Sequence, residues 1–215
     1  MKKGVIFDLD GTLINSLPDI SAAMNRALAK NGLPTYPEES YKYKVGDGVM
    51  TLAKRAVGAH AECYQAVLSA YMEDYAQNCR VHTRPYDGVH EMLRSLSSLG
   101  LKVCVLTNKD QADTEHVLAH YFPAFPFSAV RGRQAGFPLK PDPSGALLIA
   151  QTFSLSSDNF WYVGDTGTDM QCGNAAGMET VGVLWGFRPR EELADNNARH
   201  IIAAPDELLR LVENG

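Results

Sequence analysis

Four short groups of polar residues stand out along the chain: Asp8-Leu9-Asp10-Gly11-Thr12, Thr107-Asn108-Lys109, Leu139-Lys140-Pro141-Asp142 and Gly164-Asp165-Thr166-Gly167-Thr168-Asp169. Together they offer carboxylates, a lysine, and hydroxyl and amide donors. Three carboxylates and a lysine gathered in one place repel one another unless something cationic joins them. Oxygen ligands of this kind suit a hard ion, and a site with few protein ligands that keeps several waters suits Mg²⁺ better than Ca²⁺. The metal and Lys140 would then neutralise phosphate oxygens while a carboxylate attacks phosphorus to give an aspartyl phosphate. Thr107 and Asn108 would donate further hydrogen bonds to the transferring group. Taken singly, each group also has a mundane reading: Asp-Gly makes turns, Thr-Asn caps helices, and Lys-Pro-Asp-Pro starts a helix.

The groups act jointly only if a scaffold brings them to one edge. Residues 4–9 (GVIFDL) are a short apolar run closed by Asp-Gly-Thr, which predicts a buried parallel strand and a turn. The spacing of Ile20, Met24, Ala27 and Leu28 predicts a helix from an N-cap at Ser16 to Gly32 just past its end. Residues 38–79 hold no convincing strand and read as helices near 38–44, 48–57 and 60–78. Beyond Arg84-Pro85-Tyr86-Asp87-Gly88 the pattern alternates: helix 88–99, strand 101–107, helix 111–121, a short strand near 126–130, then helix 142–152. Strand 159–163, helix 168–177, strand 180–184 and a terminal helix 205–213 complete it. Alternation of this kind predicts an α/β fold, a parallel sheet with helices on both faces. Ligands of such sheets bind outside the carboxyl ends of the strands, where the polar groups fall.

In this order and at these positions, Asp8-Leu9-Asp10-Gly11-Thr12-Leu13, Thr107-Asn108, Lys140-Pro141 and Gly164-Asp165-x-x-x-Asp169 resemble the four motifs of the haloacid dehalogenase (HAD) superfamily. The similarity spans nearly the whole chain and looks most like the phosphoglycolate phosphatase branch. It implies a Rossmann-like, doubly wound core, residues 1–14 and 81–215, with an inserted all-helical cap at 15–80. Carried over, it makes Asp8 the nucleophile and Asp10 the general acid/base, which also offers its backbone carbonyl to Mg²⁺. Asp8, Asp10, Asp165 and Asp169 would form the metal site, and Thr107 and Lys140 would bind the phosphoryl group. An acid at position 10 sets the chain apart from the dehalogenases and phosphonatases of the superfamily, which carry Tyr and Ala there. Val45-Gly46-Asp47-Gly48 resembles the cap loop that reaches over the active site, so Gly46, Asp47 and Gly48 join Asn108 as expected substrate contacts. Lys44, Lys54 and Arg55 are nearby cations for a substrate carboxylate, and hinge motion is expected at about 14–16 and 80–86. Asn15 departs from the branch, which commonly has Asp there.

The expected activity is therefore a Mg²⁺-dependent phosphatase for a small phosphorylated metabolite, with 2-phosphoglycolate the first compound. A phosphomutase is the nearest alternative, and a phospho-accepting receiver module the one from another class. The balance of the composition fits a globular enzyme: 215 residues, 45% hydrophobic and 21% charged. Twenty Lys and Arg against 25 Asp and Glu leave a net charge of −5, which argues against nucleic acid as the main partner. Asp8 and Asp10 interrupt the N-terminal apolar run, so no secretory signal is expected, and no apolar stretch approaches the roughly 20 residues that span a bilayer. Four scattered cysteines without a C-x-x-C pair read as reduced and structural, in keeping with the cytoplasm; a monomer or homodimer is expected. His116 and His120 lack a third ligand and read as a helix surface; Trp185-Gly186-Phe187-Arg188 reads as packing.

Overall fold

The computed structural model describes residues 2–214. Its first strand, β1 (Gly4–Phe7), is buried along its whole length. The chain leaves it through β2 (Ile14–Asn15) and returns through β3 (Arg84–Pro85), and these two short segments pair antiparallel. The remaining strands are β4 (Lys102–Asp110), β5 (Ala129–Arg133), β6 (Phe160–Gly164), β7 (Glu179–Val183) and β8 (His200–Ile202). They join β1 in a parallel sheet ordered β5-β4-β1-β6-β7-β8. Connections run outward in opposite directions from β1 and β6, so the crevice between these neighbours is the switch point where such sheets bind ligands.

Side chains alternate across a strand, which gives the sheet two apolar faces. Val5 and Phe7 join Val105, Val163 and Val181 under α5 (Val89–Ser98), α6 (Gln111–Tyr121) and α10 (Pro205–Asn214). Ile6 joins Cys104, Leu106 and Tyr162 on the opposite face, against α7 (Ser144–Thr152) and α8 (Gly167–Ala175). A third cluster belongs to the helices between β2 and β3: α1 (Leu17–Lys30), α2 (Glu38–Tyr41), α3 (Val49–Val57) and α4 (Tyr64–Asn78). Its members include Met24, Leu28, Tyr41, Leu52 and Tyr71, together with Phe187 from beyond β7.

The expected α/β architecture is present, and the differences lie at its margins. The strand expected near 126–130 lies at Ala129–Arg133, because two arginines on a peripheral strand dilute the apolar signal. A helix, α9 (Arg190–Asp195), and the three-residue β8 are too short to show periodicity. The segments expected as helices 38–44 and 60–78 are α2, ending at Tyr41, and a 3₁₀ turn at Ala61–Cys63 followed by α4. Gly32 ends α1 as expected, with φ +71°, where a glycine is favoured. Ser16 holds the N-cap position, but its buried hydroxyl caps nothing; Asn15 Oδ1 instead accepts from Leu17 N at 3.4 Å. Among the described residues all four cysteines are free and no helix is long and apolar enough to cross a membrane.

Asp19, on the first turn of α1, ties the outgoing chain to the returning one. Its buried carboxylate accepts from His82 N, Thr83 N and Thr83 Oγ1 at 2.8–3.0 Å. Removing it leaves those donors unpartnered in a buried place. Asp19→Ala is expected to destabilise the protein by about 3 kcal/mol, a fall in Tm of roughly 6–12 °C in a thermal melt.

Candidate active site

The ends of β1 and β6 lie side by side, with Asp8 N donating to Val163 O at 2.9 Å. This places Asp8 and Asp165 against each other, and the first turn of α8 adds Asp169. Carboxylate oxygens of the three lie within 4.8 Å of one another, and all three residues are buried. Lys140 is inserted among them, its Nζ 2.7 Å from Asp8 Oδ1 and 2.7 Å from Asp169 Oδ1.

The other oxygens are held firmly. Asp165 accepts from Thr12 Oγ1 at 3.0 Å and from Phe187 N at 2.9 Å. Asp169 Oδ2 accepts from the backbone N and the hydroxyl of Thr166, closing a reciprocal cap at the start of α8. Gly11, at φ +90°, lets its loop lie against Asp165, whose carboxylate fills the place a Cβ would need. Asp8 Oδ1, although close to Lys140, accepts no aligned hydrogen bond among the described residues.

Electrostatics set what this cluster can hold. Burial raises Asp8 from 3.8 to about 7; Lys140 pulls against that shift, and the charges of Asp169 and Asp10 add to it. Burial likewise lifts Asp165 well above the usual carboxylate range, with help from Asp169 and Asp8. Burial alone would depress the Lys140 ammonium, but Asp169 and Asp8 outweigh it and hold the lysine protonated. Three carboxylates face one ammonium. The donor set is all oxygen, so the residues fit a hard divalent cation.

Asp10 faces another way. Its two oxygens lie 3.3 and 3.2 Å from Lys109 Nζ, which also donates to Tyr75 Oη at 2.7 Å. Burial would lower the Lys109 ammonium, but Asp10, with Tyr71 and Asp113, raises it above its ordinary value. Asp10 is thus connected to α4 through Lys109. The sequence holds a signal for this lysine: Thr107 and Lys109, two apart on β4, share a face.

A cavity of about 280 Å³ opens over this centre, lined by Asp8, Asp10, Thr107, Asn108 and Lys109 on one side and by Gly46, Gly48 and helical-block residues on the other. Thr107 accepts from Lys109 N at 3.2 Å and keeps its hydroxyl proton to donate. Asn108 lines the cavity, but its amide is committed: Nδ2 donates to Gly46 O and Lys140 O, and Oδ1 accepts from Lys140 N. Asp47 does not line the cavity; it accepts from Thr168 Oγ1 at 3.1 Å and pairs with Arg55 at 2.5 Å. The expected cap cations are turned elsewhere, with Lys44 over the Tyr36 ring and Lys54 over Tyr64. Trp185–Arg188 is more than packing. Trp185 Nε1 donates to Thr12 O, Phe187 N to Asp165 and Arg188 Nη2 to Val45 O, which buttresses both the acidic cluster and the loop above it. His116 and His120 are exposed on α6, as read from the sequence.

The sequence pattern of haloacid dehalogenase-like hydrolases matches residues 5–183. The chain belongs to that family. Among HAD-family relatives, a phosphoglycolate phosphatase from Cereibacter sphaeroides is 35% identical over 190 residues, 86% of each chain. One from Mannheimia succiniciproducens is 32% identical over 215 residues, 96% of each. The crystal structure of a predicted phosphoglycolate phosphatase from Haemophilus somnus 129pt superposes with a TM-score of 0.92 at 28% identity, covering 98% of both chains.

The raised Asp8 value carries a stability consequence. A carboxyl whose folded value exceeds its unfolded one leaves stability intact below 3.8 and removes it as pH rises through about 7. In metal-free buffer, Asp8→Asn is therefore expected to melt progressively higher than the parent from pH 4 to pH 8. Thermal melts across that range check it, and added Mg²⁺ at pH 8 should raise the parent more than the variant.

Proposed function

We propose that the protein is a Mg²⁺-dependent phosphatase acting on a small phosphate monoester through an aspartyl phosphate on Asp8. The observation that carries this reading is the buried Asp8, clustered with Asp165 and Asp169 and paired with Lys140 at 2.7 Å, with a second acid, Asp10, at the cavity wall. Asp8, the Asp10 backbone carbonyl and Asp165 would hold Mg²⁺, which would supply positive charge for the phosphoryl oxygens. Asp169 has both oxygens engaged, by Lys140 and Thr166, which suits it to hold its neighbours in place.

In the proposed reaction an oxygen of Asp8 forms a bond to phosphorus as the ester P–O bond breaks. Asp10 gives its proton to the departing alkoxide, then takes one from the water that attacks the aspartyl phosphate. Lys140 and the Thr107 hydroxyl face the phosphoryl oxygens. The helices of residues 15–80 would act as the cap, and their lining would select the leaving group. The relatives' names make 2-phosphoglycolate the reference compound. A phosphomutase must also hold a second phosphate at the far side of its substrate, and the single lysine lining this cavity is already paired with Asp10.

Phosphate release from a panel of phosphorylated metabolites tests the reading. Release should require Mg²⁺, and Asp8→Asn should lower it by about 10³-fold or more. Asp10→Asn should act differently on 4-nitrophenyl phosphate, whose leaving group needs little protonation. A burst of nitrophenol followed by slow turnover, with phosphate retained on the protein, is expected; a linear time course at the parental rate would exclude Asp10 as the base.

A further inference from the structure

The cavity over Asp8 is walled on its far side by Val45, Leu52, Tyr71, Met72, Tyr75 and Ala76, all but Val45 on α3 or α4. Tyr71 and Tyr75 stack with their ring centroids 5.3 Å apart, giving that wall an aromatic face. The charged groups around it are carboxylates, Asp10 and Asp113 among them, and Lys109. Lys109 has no donor to spare, because Asp10 takes two of its contacts and Tyr75 the third. Lys44, Lys54 and Arg55, the other cations of the same helical block near the loop, are held against Tyr36, Tyr64 and Asp47 and do not line the space.

An anionic group seated against this wall leaves part of its hydration behind and meets no free cation. Burying a charge without a partner is strongly unfavourable, whereas an apolar group gains by leaving water. The volume of about 280 Å³ is at the low end for small-molecule sites, which favours a small leaving group.

We propose that the preferred substrate is a phosphate monoester of an uncharged, apolar alcohol, with a short branched alkyl group or a single aromatic ring seated against Leu52, Met72 and the Tyr71–Tyr75 pair. A carboxylate at that place is disfavoured. The inference rests on the phosphatase reading and replaces the compound suggested by the relatives' names. The balance is that of ester hydrolysis: the P–O bond to the alcohol breaks, water provides the new oxygen on phosphorus, and the alcohol leaves with a proton.

Isobutyl phosphate is the test compound, since it has the shape of 2-phosphoglycolate with methyl groups in place of the carboxylate oxygens. With the full chain and Mg²⁺, kcat/KM for isobutyl phosphate and for benzyl phosphate is expected to exceed that for 2-phosphoglycolate by at least tenfold. Met72→Lys, at a half-exposed position on the cavity wall, should narrow that ratio at least tenfold by supplying an ammonium. Equal or faster turnover of 2-phosphoglycolate by the parent overturns the inference while leaving the phosphatase reading intact. An unchanged ratio in Met72→Lys also overturns it, because the preference would then arise elsewhere. Failure to release phosphate from any ester, 4-nitrophenyl phosphate included, removes the phosphatase reading and the inference together.

Discussion

The burial of three carboxylates between β1 and β6 governs the arrangement of everything near them. Buried like charges in contact are tolerable only if each has partners, and the chain draws those partners from every neighbouring segment. Thr12 comes from the turn after β1, Lys140 from the loop before α7, Thr166 from the start of α8 and Phe187 from the loop after β7. Each of these loops is fixed because a carboxylate oxygen requires what it offers. Asp8 is tied to the network through Lys140 and also lines the cavity, where a reacting group would enter.

The helical block is joined to this centre by polar contacts rather than by a shared apolar core. Its own cluster is separate from the two that sandwich the sheet, apart from Phe187. Across the gap, Asn108, Thr168 and Arg188 hold successive residues of the 45–47 loop, and Lys109 bonds to Tyr75. Gly46, at φ +109°, belongs to the loop that Asn108 grips through a backbone carbonyl. Such contacts are individually modest and exchange readily with water, so they hold the block less firmly than a shared apolar core would.

Much of this centre is legible in the amino-acid sequence, for a physical reason. Asp8 and Asp165 follow short apolar runs that read as buried strands, so they emerge at the same sheet edge, and Asp169 lies four residues further on, in the first turn of the helix that follows. Asn108 and Asp47, expected to touch substrate, bind backbone and side chains of the protein instead, because residue type shows capacity for hydrogen bonding and not where it is spent. Lys44, Lys54 and Arg55 depart from expectation for a related reason: long cationic side chains lie along whichever aromatic or acidic neighbour packing presents. The pairing of Asp10 with Lys109, of Trp185 with Thr12 and of Arg188 with Val45 joins residues 99, 173 and 143 positions apart, beyond any periodicity.

The β2–β3 pair has a wider consequence. The chain departs from the sheet at Ile14 and Asn15 and comes back at Arg84 and Pro85, directly opposite. Seen from the sheet, the intervening helices form a closed detour whose two ends meet. The alignment of β1 with β4 and β6 therefore imposes no length or shape on what lies between, and a lineage could exchange the detour wholesale while the chemistry beneath it stayed in register.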